Sequence, residues 1–310
     1  MKIEDCGLRN NFKQLSIRYD QSHEVLWTFF NQPNMVPCAN REIISEIIQH
    51  QQEVENTRGV LYLNDHVYNI KYAVAASLTP NVFNLGGHLA LIRGLAKNKN
   101  KEALLAYATK AIDILNSRLT RFNDCPIINI SLVQGLALGA GLEGALTSDV
   151  IIAERKSLFS FPEVLFNMFP GMGAHSLVMR KAGVKIADEM ILSGKQYTAE
   201  QAYELGIVDV LVEDGEGEQA VYKWIEKNKR SSNAYLAIQK AKNRVHPITY
   251  DELMDITRLW VDVALQLSER EFSIMDRFIQ MQEKLYLPNY TQHLATGTSD
   301  NIVSIQRTAG

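Results

Sequence analysis

Cysteine is scarce. The 310 residues contain three, Cys6, Cys38 and Cys125, an odd number without CxxC spacing, so neither a disulfide framework nor a cysteine zinc site is indicated. The seven histidines show no HxxxH or HExxH grouping, which leaves no metal motif and an expectation of no metal. No apolar run approaches the ~18–20 residues of a membrane span, and Met1 to Asn11 lacks the charged-then-apolar order of a signal peptide. A surplus of one charge is missing as well. With 32 basic and 35 acidic side chains the net charge is −3, which argues against a generalised nucleic-acid binder. These absences describe a soluble, cytoplasmic chain with no nucleic-acid and no membrane partner. What is present is ordinary globular composition, 46% apolar and 22% charged, in a length that suits one or two domains.

The texture changes along the chain. From His23 to Asn56 the pattern reads as helical, with Ile43, Ile44, Ile47 and Ile48 on one face, and residues 1–58 form an expected N-terminal helical extension. Val60 to Leu63 and Ile70 to Ala76 read as strands joined by a polar connection, Asn64 to Asn69. Leu89 to Phe122 reads as two helices separated by Lys97-Asn98-Lys99-Asn100-Lys101. Those lysines are either a solvated break or a patch that steers an acidic carrier. Cys125-Pro126 stops the helix, and Ile127 to Val133 follows as an almost continuous apolar run typical of a strand covered on both faces. Gly135 to Ala145 is glycine-rich and turns helical. Asp149 to Ala153 and Leu158 to Phe161 are further strands. Strands alternating with helices predict an α/β layered core over 59–215. Glu218 to Lys229, Asn233 to Asn243 and Tyr250 to Leu285 predict a helical region over 216–287, the last helix broken near Ser268 to Arg270. Its many large apolar residues favour a contact with another subunit, intrachain packing being the alternative. Residues 288–310 read as a loosely ordered tail.

Gly139-Ala140-Gly141-Leu142-Glu143-Gly144 satisfies the dinucleotide-binding pattern GxGxxG. The glycines, however, stand apart from the preceding strand and leave barely two helical turns before the next, so that reading is disfavoured. A better use of such glycines is to bring backbone N–H groups at a helix start close to a ligand oxygen. Gly86-Gly87 is a second turn of this kind, and two donors aimed at one oxygen form an oxyanion hole for a thioester enolate. Glu143 and Glu163 both stand among glycines and large apolar residues, a setting that desolvates a carboxyl and tunes it for proton transfer.

Val133 to Glu143 resembles the central signature of the enoyl-CoA hydratase/isomerase (crotonase) family. Phe83-Asn84-Leu85-Gly86-Gly87-His88-Leu89, Ser148 to Ala153, Phe169-Pro170-Gly171-Met172-Gly173 and Leu192 to Asp209 extend the likeness in the right order. Within the family the chain is most similar to the diffusible signal factor synthases, on Asn84 to Gly87, Pro162 to Phe166, Phe169 to Ala174, and Trp260-Val261-Asp262. The resemblance implies a crotonase-like α/β spiral of ββα units with a C-terminal helical region. It also implies dehydration of a 3-hydroxyacyl chain on acyl carrier protein to the cis-2-enoyl thioester, then hydrolysis to a free fatty acid used in quorum sensing, with no cofactor. By carry-over, the amides of Leu85 and Ala140 hold the thioester oxygen, with Gly86 and Gly139 as one-residue alternatives. Glu143 and Glu163 share the proton transfers, their division of labour open. Gly87, Gly141, Phe166, Met168, Phe169, Met172 and Trp260, together with Phe161 and Leu165, are expected near the acyl group. Two departures stand out: His88 where the family has an acid, and Ala140 where it has a glycine. A homo-oligomer, a trimer or dimer of trimers, is implied; the carrier (acyl carrier protein or CoA) and a regulatory protein partner are left open. The rivals are an ordinary enoyl-CoA hydratase or isomerase and, in another class, a non-catalytic crotonase-fold binding protein.

Overall fold

The computed structural model describes residues 12–30, 35–63 and 66–286; Cys6 and the expected tail 288–310 lie outside them. Strands β1 (Leu15–Asp20) and β2 (Val25–Phe30) open the chain, followed by α1 (Arg41–Asn56) and a hairpin of β3 (Val60–Leu63) and β4 (His66–Asn69). Three times the chain then lays one strand in a larger sheet and one in a smaller sheet before turning helical. The first turn is β5 (Tyr72–Ser77) and β6 (Val82–Asn84), then α2 (Leu89–Lys97), α3 (Lys101–Leu119) and the left-handed turn α4 (Arg121–Asp124). The second is β7 (Ile128–Val133), β8 (Leu136–Leu138) and α5 (Ala140–Leu146), and the third is β9 (Val150–Glu154), β10 (Leu158–Ser160), a 3-10 turn at Pro162–Phe166, α6 (Ala174–Ala182) and α7 (Val184–Ser193). Strand β11 (Tyr197–Thr198), α8 (Ala199–Glu204) and β12 (Val210–Val212) close the core, and α9 (Gly217–Asn228), α10 (Ser232–Val245), α11 (Tyr250–Ala264) and α12 (Glu269–Tyr286) follow. The larger sheet runs β1-β2-β5-β7-β9-β12, the smaller β11-β10-β8-β6. Pairing of β5 with β7, β7 with β9, β6 with β8 and β8 with β10 is parallel throughout. This is the α/β spiral of ββα units with a C-terminal helical region that the resemblance implied.

Strand β7 is buried at every position: its apolar residues fill the covered layers, and its two polar ones, Asn129 and Ser131, hydrogen-bond to Arg118 O and Ser148 Oγ. Four elements differ from the sequence-based expectation. Val25–Phe30 is a strand, not helix, because its large side chains alternate between two apolar clusters: Val25, Trp27 and Phe29 join one face of the larger sheet and Leu26 the other. Helix α1 starts only at Arg41, where the Asn40 side chain accepts from the N–H groups of Glu42 and Ile43 at 3.0 Å each. Since β2 pairs with β5 in register, the N-terminal segment shares the core sheet rather than extending from it. The polar stretch 64–69 holds β4, the outer strand of an exposed hairpin. Residues 136–138 form β8, the short strand that binds β6 and β10 together.

The fourth difference is the role of the C-terminal helices. Leu253, Trp260, Val261, Ala264, Leu267, Phe272 and Met275 are buried inside this chain, most of them against α2, α3 and the Pro162–Phe166 turn. The apolar face expected to seek another subunit therefore roofs its own core. The break at 265–268 lets α12 fold back over α2. Lys97, Lys99 and Lys101 fix that junction: Lys97 pairs with Glu269 at 3.0 Å and Lys101 with Asp262 at 2.6 Å, and the Lys99 ammonium donates to Leu265 O.

Candidate active site

Strand β8 feeds α5 through Gly139, whose φ of 48° and ψ of −124° lie in a region that only glycine enters freely. Because the positive φ falls on Gly139, the next residue starts the helix with ordinary geometry and tolerates the Cβ of Ala140. Gly139 N–H is consumed by Ser160 O at 2.9 Å. Ala140 N–H, the first donor of the helix, finds no acceptor among the described residues, as the opening turn of a helix leaves its donors free.

The loop after β6 approaches the same point. A Cβ on Gly86, at φ +86°, would sit 2.7 Å from Leu138 O and 3.2 Å from Ala140 N, so only glycine lets the two loops touch. Here the sequence-based assignment needs correction. Leu85 N–H donates to Pro37 O at 2.8 Å, and Gly86 N–H to Asn84 Oδ1 at 2.8 Å. Gly86 O accepts from Ala39 N at 2.7 Å, and His88 N–H donates to Tyr107 Oη at 3.1 Å. Of this loop's amide donors from Leu85 to His88, Gly87 N–H is left without an acceptor among the described residues, and Gly87 lines the same cavity as Ala140. The free pair is Gly87 and Ala140, rather than Leu85 and Ala140 or the alternatives Gly86 and Gly139. His88, in place of the family's acid, caps α2: its Nδ1 accepts from Leu91 N at 3.1 Å.

Both carboxyls face this cavity. Glu143 is 1% exposed, and its Oε1 accepts from Met172 N at 2.8 Å and Ala174 N at 2.9 Å. Burial pushes it up to about 7, against the two N–H donors that favour the carboxylate. Glu163 lies against Gly139, where a Cβ would meet its Oε1 at 2.3 Å. Its Oε2 is buried without a hydrogen-bond partner among the described residues. Burial, with the Glu143 charge adding to it, pushes Glu163 up to about 8. The two groups thus favour a state with one proton between them at neutral pH, on Glu163, because two backbone N–H groups hold a negative charge on Glu143 against a single one, its own, on Glu163.

The loop that supplies those donors is held from α11. Trp260 lies so close to Gly171 that a Cβ there would meet its ring at 2.2 Å, and Thr257 Oγ1 donates to Gly171 O at 2.9 Å. Of the residues expected near the acyl group, Gly87, Phe166, Met168, Met172 and Trp260 line this cavity. Gly141 lines an adjoining apolar cavity that shares Ala111, Ala140 and Met172 as walls. Phe169 packs beside the α2–α3–α11 cluster and Phe161 in the core under the smaller sheet; neither they nor Leu165 line the cavity that holds the two carboxyls. Sequence reasoning missed Tyr107, Leu89, Ile92 and Met275, which complete the wall, and Thr257 behind it. Their helical spacing is that of any core residue, so nothing local marks them. Among the described residues no group of three His, Cys, Asp or Glu side chains is arranged to hold a metal, and no helix is long and apolar enough to cross a membrane.

A profile of the enoyl-CoA hydratase/isomerase family matches residues 25–267. The 2,3-dehydroadipyl-CoA hydratase of Escherichia coli (strain K12) is 39% identical over 127 residues, 41% of this chain and 48% of that protein, so the match spans about half of that relative. An enoyl-CoA hydratase from Mycobacterium avium subsp. paratuberculosis K-10 superposes with a TM-score of 0.68 at 18% identity, over 86% of this chain and 96% of the other. Pseudomonas aeruginosa DspI superposes with a TM-score of 0.62 at 20% identity, over 89% and 98%. At these identities the two structures speak for the fold alone.

Proposed function

This chain belongs to the enoyl-CoA hydratase/isomerase family, and within that chemistry we propose that it dehydrates a 3-hydroxyacyl thioester on acyl carrier protein to the cis-2-enoyl thioester and hydrolyses this to a free cis-2-unsaturated fatty acid, a quorum-sensing signal. The observation that carries the reading is the convergence of two free amides, Gly87 and Ala140, with two buried carboxyls on one apolar cavity. Addition and removal of water across the α,β bond of a thioester both pass through negative charge on the carbonyl oxygen. Each N–H aimed at that oxygen contributes on the order of 3 kcal/mol. In the direction of water addition, Glu143 as carboxylate takes a proton from water and Glu163 gives one to the α-carbon. Dehydration runs the same steps backwards: Glu163, deprotonated, takes the α-proton and Glu143 protonates the departing hydroxyl.

Hydrolysis reuses the site. A carboxylate takes a proton from water as the oxygen attacks the carbonyl carbon, the hole holds the tetrahedral oxyanion, and the C–S bond breaks as the carboxyl returns that proton to the leaving sulfur, releasing acid and thiol. A cis double bond requires the chain to be held bent, and Phe166, Met172 and Trp260 are the walls that would do so. A second reading, hydration of a 2-enoyl-CoA without hydrolysis, is favoured by the 39%-identical hydratase and uses the same four groups. Incubation of 3-hydroxydodecanoyl carrier protein with the enzyme, followed by mass spectrometry and NMR of the olefinic protons, separates the two. Free cis-2-dodecenoic acid is the expected product; a trans-2-enoyl thioester alone would establish the second reading. We further propose a homo-oligomer, tested by analytical ultracentrifugation, in which a concentration-independent monomer would refute it.

A further inference from the structure

The Gly86-Gly87 peptide carries the free N–H of the first loop, yet it sits between the two least restrained residues a chain can have. A small concerted rotation of Gly86 ψ and Gly87 φ would swing that N–H away from the cavity. What opposes the rotation is a set of contacts on the neighbouring carbonyls. The amide Nε2 of Gln282, on α12, donates to Leu85 O at 3.1 Å and to Gly87 O at 3.2 Å. Both neighbours are acceptors, so the –NH2 end of the amide must face the loop. The two carbonyls lie one on each side of the Gly86-Gly87 peptide, which is itself held by Ala39 N on Gly86 O at 2.7 Å. Ala39 and Gln282 therefore fix three successive carbonyls and leave the intervening N–H pointing where they allow.

We propose that Gln282 is a positioning residue of the oxyanion hole: by clamping the Leu85 and Gly87 carbonyls it sets the direction of Gly87 N–H, so that α12 completes the site from the far end of the chain. The proposal rests on the reading of Gly87 and Ala140 as the hole. Helix α12 has other anchors. Arg93 pairs with Asp276, its Nη2 donating to Oδ2 at 2.8 Å, and Leu285 is buried in a cluster with Leu85. Removing the Gln282 donor thus leaves the helix docked and changes the loop alone.

The test compares Gln282→Met, which keeps the shape without a donor, with Gln282→Lys, which restores N–H donors at similar reach. Two readouts are taken: kcat and KM on a 2-enoyl thioester, and the absorption of a bound 2,4-dienoyl thioester, whose conjugated system absorbs further to the red when its carbonyl oxygen accepts strong hydrogen bonds. The expected result is a kcat about 10-fold lower in Gln282→Met with KM within about twofold, a smaller red shift and an unchanged melting temperature, and recovery of both readouts in Gln282→Lys. Wild-type kcat and red shift in Gln282→Met would overturn the proposal. So would an equal loss in Gln282→Lys, which would make Gln282 a matter of shape. If Gln282→Met does not fold, Gln282→Asn, one methylene short of both carbonyls, carries the same expectation. A wild-type enzyme that binds the dienoyl thioester without any shift would instead remove the oxyanion hole itself, an outcome distinct from failure of Gln282 alone.

Discussion

Substitution of Gly139 by alanine tests the placement of Glu163 without touching the carboxylate. The new Cβ would stand 2.3 Å from Glu163 Oε1 and 3.3 Å from its Cδ, well inside an ordinary contact, so the carboxyl must retreat by about 1 Å. A misplacement of that size in a reacting group costs roughly 10²-fold in rate, or about 2.7 kcal/mol of barrier. A second cost falls on stability. With φ at 48° and ψ at −124°, Gly139 occupies backbone space that a residue with Cβ enters only at ~1–3 kcal/mol. Gly144→Ala, in the same helix, is the control: nothing lies within 4 Å of its added Cβ, and relief of glycine's chain entropy should stabilise it by about 0.5–1 kcal/mol. The assay is steady-state loss of enoyl thioester absorbance, paired with thermal melts. Because Gly139 also leads into Ala140, the measurement is repeated in a Glu163→Gln background. If Gly139→Ala acts through the carboxyl, most of its kinetic effect vanishes there. Near-wild-type turnover in a folded Gly139→Ala protein, or a loss undiminished in the Glu163→Gln background, would refute the reasoning.

Glu143→Gln and Glu163→Gln should each slow water addition by roughly 10²- to 10⁴-fold, measured in the same assay; turnover close to wild type in either would remove that residue from the chemistry. With the pair raised to about 7 and about 8, kcat/KM should follow a bell whose limbs belong to the pair as a whole, falling in acid as both carboxyls protonate and in alkali as both ionise. The same shifts act on stability. Both groups bind protons more tightly folded than unfolded, so their contribution is most favourable below the unfolded value near 4.5 and declines as pH rises through 7 and 8. Glu163→Gln should accordingly melt higher than wild type at pH 9, with the gap closing near pH 4; a gap independent of pH would contradict the burial argument. Changing Lys97, Lys99 and Lys101 to Gln should lower the melting temperature slightly, exposed ion pairs being worth ~0–1 kcal/mol each, and leave the salt dependence of turnover on an acyl carrier substrate unchanged. A marked loss confined to low salt would restore the steering reading.

Much of this molecule is legible in its residues taken in order. The run Ile127 to Val133 is legible as a strand because five of its seven residues are Ile, Leu or Val between a Cys-Pro stop and a glycine turn, and helix α3 follows from its apolar spacing after the Lys97 to Lys101 break. Glu143 and Glu163 are legible because a carboxyl among glycines and aromatics has no solvent to ionise into. The N-terminal strands are not, since Val25 to Phe30 becomes a strand only when β5 offers an edge and two apolar layers lie on either side. Tyr250 to Leu285 has the same apolar stripe whether it covers another subunit or its own α2 and α3. The fold lays it on α2 and α3, by way of the turn at 265–268 that lysines more than 160 residues earlier contact. The candidate oxyanion donors show the limit most sharply. Leu85, Gly86, Gly87, Gly139 and Ala140 all carry an N–H in the right stretch of sequence. Which ones remain free depends on Pro37, Asn84 and Ser160 taking the others, and hydrogen-bond accounting of that kind closes only in three dimensions.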